Sequence, residues 1–169
     1  ALRAKAAGAR LPQTLGAVSD NLTRSTAVGY WHFASQYLHA ADTLRNSPSR
    51  QSAVPVLQLY GQAIELVLKA FLLKRGLLHQ ELRKLSHSLV GLVSTARRRK
   101  LGIEAPLSRR DIALIQQLDQ VYATHRLRYI VVGHTDLPTL ESVADLSSRL
   151  VEGLAALCTS PAPVGANGA

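Results

Sequence analysis

The stretch His125–His134, HRLRYIVVGH, gathers two arginines, a tyrosine and two histidines around a short apolar run. Those residue types suit an anionic substrate such as RNA: histidine changes charge near neutral pH, and arginine offers a planar fork of donors. Within the stretch, Arg128 and His134 stand six positions apart in number, with five residues between them. A second candidate set lies upstream. Gln58, Gln62, Glu65 and Lys69 recur at spacings of four, three and four, and so share one face of a helix. The plain reading is an i,i+4 Glu65–Lys69 ion pair at the rim of a core helix. The sharper reading is a polar stripe that faces a cleft or a partner subunit.

Other chemistries find no support in the pattern. The six histidines form no HExxH, and the single Cys158 permits no CxxC, so no metal site and no metal cofactor is expected. Neither GxxxxGK[ST] nor GxGxxG occurs, which removes the usual nucleotide loops. No GxSxG positions a serine nucleophile. Any activity therefore rests on dispersed polar groups.

The elements that must position those groups read as helices. A first helix is expected from about Ser25 to Leu44, with Tyr30, Phe33, Tyr37, Ala40 and Leu44 on one face and Trp31, Ala34, Leu38 and Ala41 beside them. Pro48 and small polar residues then break the chain. A second helix is expected from about Ser52 to Lys74, with Pro55 in its first turn and Gly76 in a left-handed cap. Val56, Leu57, Leu59, Ile64, Leu66, Val67, Leu68, Phe71 and Leu72 cover most of its circumference, so it should be the buried central helix. LHQELRKLS reads as a short helical turn. Ser86 is then expected to cap a helix from His87 to about Leu101, closed by Gly102, with Arg97-Arg98-Arg99-Lys100 in its last turn, where cations favour the macrodipole. Ser108 and Asp111 read as a capping box opening a helix through Ile112, Ile115, Leu118 and Tyr122 to about His125. Arg128 to Val132 is β-branched and aromatic and reads as extended. Pro138-Thr139 opens a final helix with Leu140, Val143, Leu146, Leu150, Leu154 and Leu157 inside. The fold class is therefore all-α: an up-and-down bundle of four long helices with short extra helical turns.

Length and composition agree with that class. The 169 residues suit one domain. We expect a loosely held arm over residues 1–22, a single helical domain over 23–158, and a disordered Pro/Gly/Ala-rich tail over 159–169. No apolar run approaches the ~20 residues that cross a bilayer, and no charged-then-apolar segment opens the chain, so neither membrane nor signal is expected. One cysteine makes the reducing cytoplasm the default compartment. The net charge of +9 permits an anionic partner such as nucleic acid, although the basic run already has a structural explanation at a helix end.

The order of parts resembles the HEPN domains, helical bundles of four or five helices found widely in prokaryotes. The resemblance rests on LYGQAIELVLKAFLLKRG, then ELRKLSHSLVGLVSTA, then LIQQLDQVYATHRLRY, from about residue 28 to 132. It implies a symmetric homodimer and, for many members, metal-independent endoribonuclease activity in toxin–antitoxin or other defence systems. The active element of such members is an arginine followed, after four to six residues, by a histidine, contributed by both subunits to one cleft. On that pattern Arg128 and His134 are the catalytic pair, acting as the RNA 2′-hydroxyl attacks the adjacent phosphate. Tyr129 departs from the family, because active members carry a small polar residue after the arginine, and YIVVG reads as extended where the active motif is helical. The resemblance also singles out a second cluster of Glu65, Lys69, His87, Arg126, Arg128 and Tyr129. His87, placed just inside a helix N-terminus, would have its imidazolium disfavoured by the dipole and act as a neutral acceptor. The expected function is RNA or nucleotide binding, with ribonuclease activity as its catalytic form. The alternative is a silent interaction module that docks a protein partner such as a cognate nucleotidyltransferase.

Overall fold

The computed structural model describes residues 26–48, 53–124 and 136–161. Over these residues the chain is an all-α bundle of seven α-helices and one 3₁₀ turn, with no strand. Helix α1 spans Ala27–Arg45, and Thr26 caps it by accepting the Gly29 N–H at 3.0 Å. Its buried face is Ala34, Leu38 and Ala41. Of the adjoining set read from sequence, Phe33 and Tyr37 are exposed (56% and 36%), whereas Tyr30 and Leu44 pack against the core. Small side chains let two helix backbones approach closely, and α1 runs against α2 along much of its length. Trp31 is tied to the bundle as well: its Nε1 donates to the Val151 carbonyl at 2.9 Å.

Helix α2, Ala53–Lys74, is the central element, and α1, α4 and α6 pack around it. Pro55 sits in its first turn, and Gly76, at φ +77°, ends the segment in the left-handed region that favours glycine. By length and composition alone α2 could cross a bilayer, which corrects the expectation that no segment qualifies. Here most of that apolar surface is enclosed by the other helices, with Tyr60, Leu57, Ile64, Leu68, Phe71 and Leu72 fully buried.

Helix α3 spans His79–Leu85. The next helix, α4, spans Leu89–Arg98 and is capped by Ser88, whose Oγ accepts the Gly91 N–H at 3.1 Å. Ser86, the cap expected from sequence, takes a positive φ of 49° at the end of α3. His87 therefore precedes the α4 cap and does not lie inside its first turn. The far end also differs from expectation. Lys100 adopts the left-handed conformation at φ 66°, and Leu101–Ile103 form a separate 3₁₀ turn, so α4 stops short of Leu101 and Gly102 does not close it.

Helix α5, Arg109–Tyr122, opens on the expected capping box: Ser108 Oγ accepts the Asp111 N–H at 3.1 Å while Asp111 Oδ2 accepts the Ser108 N–H at 2.7 Å. Helix α6, Leu140–Gly153, follows Thr139 at its N-cap, and the chain turns at Leu154 before the short α7, Ala155–Thr159. The single final helix expected from sequence is thus two, although Val143, Leu146, Leu150 and Leu154 are buried as anticipated.

Candidate functional site

The polar stripe on α2 meets polar side chains from two other segments. Glu65 is only 1% exposed, and three side chains converge on it. Lys69, one turn further along α2, donates from Nζ to Glu65 Oε1 at 2.6 Å. His87, in the loop between α3 and α4, places Nδ1 3.1 Å from both carboxylate oxygens. Tyr122, at the end of α5, donates its hydroxyl to Glu65 Oε2 at 2.6 Å, and Gln62 Oε1 lies 2.9 Å from the same hydroxyl. A phenol has one hydrogen, and the shorter, charged contact dominates its sharing.

Burial alone pushes the Glu65 carboxyl up, since a charge out of water is disfavoured. The Lys69 charge, with hydrogen bonds from Lys69, Tyr122 and His87, outweighs that cost and holds the carboxyl below its ordinary value. An ionised carboxylate only accepts hydrogen bonds, so the proton on His87 that faces it sits on Nδ1. Nε2 is then the ring nitrogen that Glu65 does not occupy. The His87 side chain is 42% exposed and the Lys69 side chain 14%, so the cluster is buried at Glu65 and opens towards the surface at His87.

Two features outside the stripe fix this geometry. The Tyr122 ring reaches Glu65 by lying over Gly61, where a Cβ would stand 2.4 Å from Tyr122 Cδ2. Asp119, one turn before Tyr122 on α5, accepts the Leu89 N–H at 2.6 Å and the Ser88 hydroxyl at 3.4 Å. A carboxylate at a helix N-terminus complements both the free N–H groups and the dipole. Helix α5 thus holds the start of α4 with Asp119 and the carboxylate with Tyr122, and His87 lies between the two anchors in sequence.

Of the residues anticipated from sequence, Glu65, Lys69 and His87 are brought together, and Gln62 joins them through Tyr122. The i,i+4 Glu65–Lys69 ion pair of the plain reading forms, with Glu65 buried and met by side chains of this same chain. Gln58 does not join; its Oε1 is buried without a hydrogen-bond partner. His87 differs from expectation in what governs it, because a carboxylate contact replaces the inferred position inside a helix terminus. Arg126, Arg128, Tyr129 and His134, and the extended segment expected over Arg128 to Val132, lie outside the described residues. Tyr122, Gly61 and Asp119 were not anticipated as site residues. Their available signal was the D-x-x-Y spacing, which puts Asp119 and Tyr122 on one helical face.

A second polar group, Asp111 with Arg149 and Asp145, borders a broad cleft of about 970 Å³ between α5 and α6. Arg149 there is already bracketed by Asp111 at 2.5 Å and Asp145 at 2.9 Å, and Asp111 also closes the α5 cap. Its charges serve the junction of two helices. Among the described residues no three of His, Cys, Asp and Glu converge in a way that could hold a metal ion. No family model, curated protein or solved structure matches the chain.

Proposed function

We propose that this chain is an HEPN-like domain that binds RNA or a nucleotide beside the Glu65 cluster, with His87 as its proton-transfer group. The observation that supports the reading most strongly is the buried Glu65 carboxylate holding Nδ1 of a half-exposed histidine. A carboxylate that fixes one ring nitrogen sets the tautomer and aims the other, the arrangement that general acid–base catalysis by histidine uses. In the catalytic form, His87 Nε2 takes the proton from a ribose 2′-hydroxyl as its oxygen bonds to phosphorus. The bond from phosphorus to the 5′-oxygen breaks, and that oxygen receives a proton. Lys69, Arg126 and Arg128 supply positive charge, and Arg128 with His134 remains the second candidate pair. A homodimer belongs to this reading because a second copy doubles a sparse set of groups.

Labelled single-stranded RNA incubated in EDTA with the wild type and with His87→Ala, Arg128→Ala and His134→Ala tests it. The expected result is cleavage to a 2′,3′-cyclic phosphate that His87→Ala abolishes. Cleavage indifferent to all three substitutions contradicts the assigned chemistry, and the absence of saturable, salt-sensitive RNA or nucleotide binding contradicts the whole reading.

The exposed Phe33 and Tyr37, one turn apart on α1, favour a second reading in which the domain docks a partner protein without catalysis. Light scattering on the wild type and on Phe33→Glu separates the two. Under the docking reading the chain alone is monomeric and binds no RNA.

A further inference from the structure

Lys69 lines a small cavity as well as pairing with Glu65. The cavity, of about 90 Å³, is bounded by Tyr30 from α1, Lys69 from α2, and His79, Leu82 and Arg83 from α3. Three of those five side chains carry nitrogen that is or can become cationic. Arg83 is exposed and, among the described residues, makes no ion pair. Of the two nearest acids in these elements, Glu65 offsets part of the Lys69 charge and Glu81 is engaged in its own helix start. Glu65 is shared among Lys69, His87 and Tyr122, and Glu81 accepts the Leu78 N–H at 3.0 Å.

Size narrows the ligand. Cavities that enclose a drug-sized or nucleotide-sized molecule run to about 300–1,000 Å³, and this one is far smaller. It has room for a few water molecules, and so for one tetrahedral oxyanion. Charge narrows it further, since a lysine and an arginine held around a small space favour an anion with several acceptor oxygens.

We infer that this cavity is a phosphate-binding subsite, in which Lys69, His79 and Arg83 hold one phosphate group and Tyr30 walls one side. For the identity of the molecule that carries the phosphate, the inference rests on the RNA or nucleotide reading above. The phosphate is the terminal monoester of a nucleotide or RNA end, or a backbone diester. Either way its place relative to the proposed chemistry is set: Lys69 Nζ and His87 Nδ1 contact the same Glu65 oxygen, at 2.6 and 3.1 Å. A phosphate against Lys69 is one carboxylate away from the proton-transfer group.

The test has two arms on the full chain, with Arg83→Glu as the main variant and Arg83→Gln as a milder one; both are surface changes whose folding is checked by thermal unfolding. Inorganic phosphate is first titrated into isotopically labelled protein. The inference expects saturable NMR shifts at Tyr30, His79 and Leu82, with affinity about tenfold weaker in Arg83→Gln and lost in Arg83→Glu. Shifts that miss these residues, or an affinity unchanged in both variants, overturn it. In the second arm, 5′-phosphorylated and 5′-hydroxyl oligoribonucleotides are compared. A terminal-phosphate subsite predicts a preference for the phosphorylated end that Arg83→Glu removes. A diester subsite predicts equal weakening of both, with the salt slope reduced by about 0.7. Phosphate binding without binding of either oligonucleotide overturns the RNA reading and leaves the subsite standing. Oligonucleotide binding indifferent to Arg83 in affinity and slope overturns the subsite and leaves the RNA reading standing.

Discussion

The Tyr122 ring lies across the α2 backbone at Gly61, and its hydroxyl meets Glu65 one turn further on. Residue 61 is where α2 has no side chain, and that gap lets a tyrosine from α5 reach a buried carboxylate. The site therefore depends on a glycine that makes no polar contact.

Gly61→Ala should destabilise the protein by roughly 1–3 kcal/mol, the scale of overpacking a filled core. The sign is the informative part. At an unconstrained helical position the same change stabilises by roughly 0.5–1 kcal/mol, because glycine costs backbone entropy. Chemical denaturation of the two proteins measures the difference, and a more stable alanine variant would mean that Tyr122 does not occupy this position.

Acid should weaken the fold through Glu65 and Asp111. Burial raises the Asp111 carboxyl, but hydrogen bonds from Arg149 and Ser108 and the Arg149 charge leave it lowered overall. Both groups thus bind protons more weakly folded than unfolded. Their contribution is complete above the ordinary carboxyl range and is lost as pH falls through their folded values, over a window beginning near about pH 5. Glu65→Gln should be less stable at neutral pH by about 3 kcal/mol, since it leaves the Lys69 ammonium without its carboxylate. It should also lose less on acidification than the wild type. Denaturation midpoints at neutral and acidic pH give both numbers, and parallel acid limbs would contradict the ionised Glu65.

Asp119→Ala removes the acceptor of the Leu89 N–H and should cost about 1 kcal/mol, as loss of a helix cap does. Its second effect separates positioning from bulk stability. With the start of α4 released, the His87 amide should exchange faster with solvent than amides in the middle of α2. Uniformly increased exchange across the domain would show that Asp119 only stabilises.

Cys158 should resist thiol reagents in the native state. Burial pushes its thiol up to about 11; Lys74 draws it down and Glu104 adds to the rise. The thiolate is the reactive form, so modification at neutral pH should follow the rate of opening of the fold. Rapid labelling of the folded protein would place Cys158 at the surface.

Boundaries that chain-local chemistry sets were legible in the sequence. Pro55 and Gly76 bracket α2, and the Ser108–Asp111 box starts α5, because each acts within a few residues of itself. What tertiary contacts set was not legible. Ser86 and Ser88 both qualify as caps by type, and Asp119 from another helix selects Ser88 by holding the Leu89 N–H. Periodicity left two adjoining faces of α1 open, and close packing against α2 selects the one with Ala34, Leu38 and Ala41.

The site divides along the same line. Glu65 and Lys69 were visible because polar residues at helical spacing stand out on an apolar helix. His87 was grouped with Glu65 through the family resemblance, but its place before the α4 cap was not legible, because Ser88 and not Ser86 caps that helix. Tyr122 is indistinguishable in sequence from the core stripe of Ile115 and Leu118, since an aromatic ring and its hydroxyl count as one apolar residue until a partner is found.

The central claim is that ionised Glu65 holds the His87 ring by Nδ1. Nitrogen-15 NMR of the labelled imidazole, at a pH where the ring is neutral, tests it most directly. The wild type should show a protonated Nδ1 and an unprotonated Nε2, and Glu65→Ala should lower the share of that tautomer. A bare Nδ1 with a protonated Nε2 in the wild type would contradict the claim.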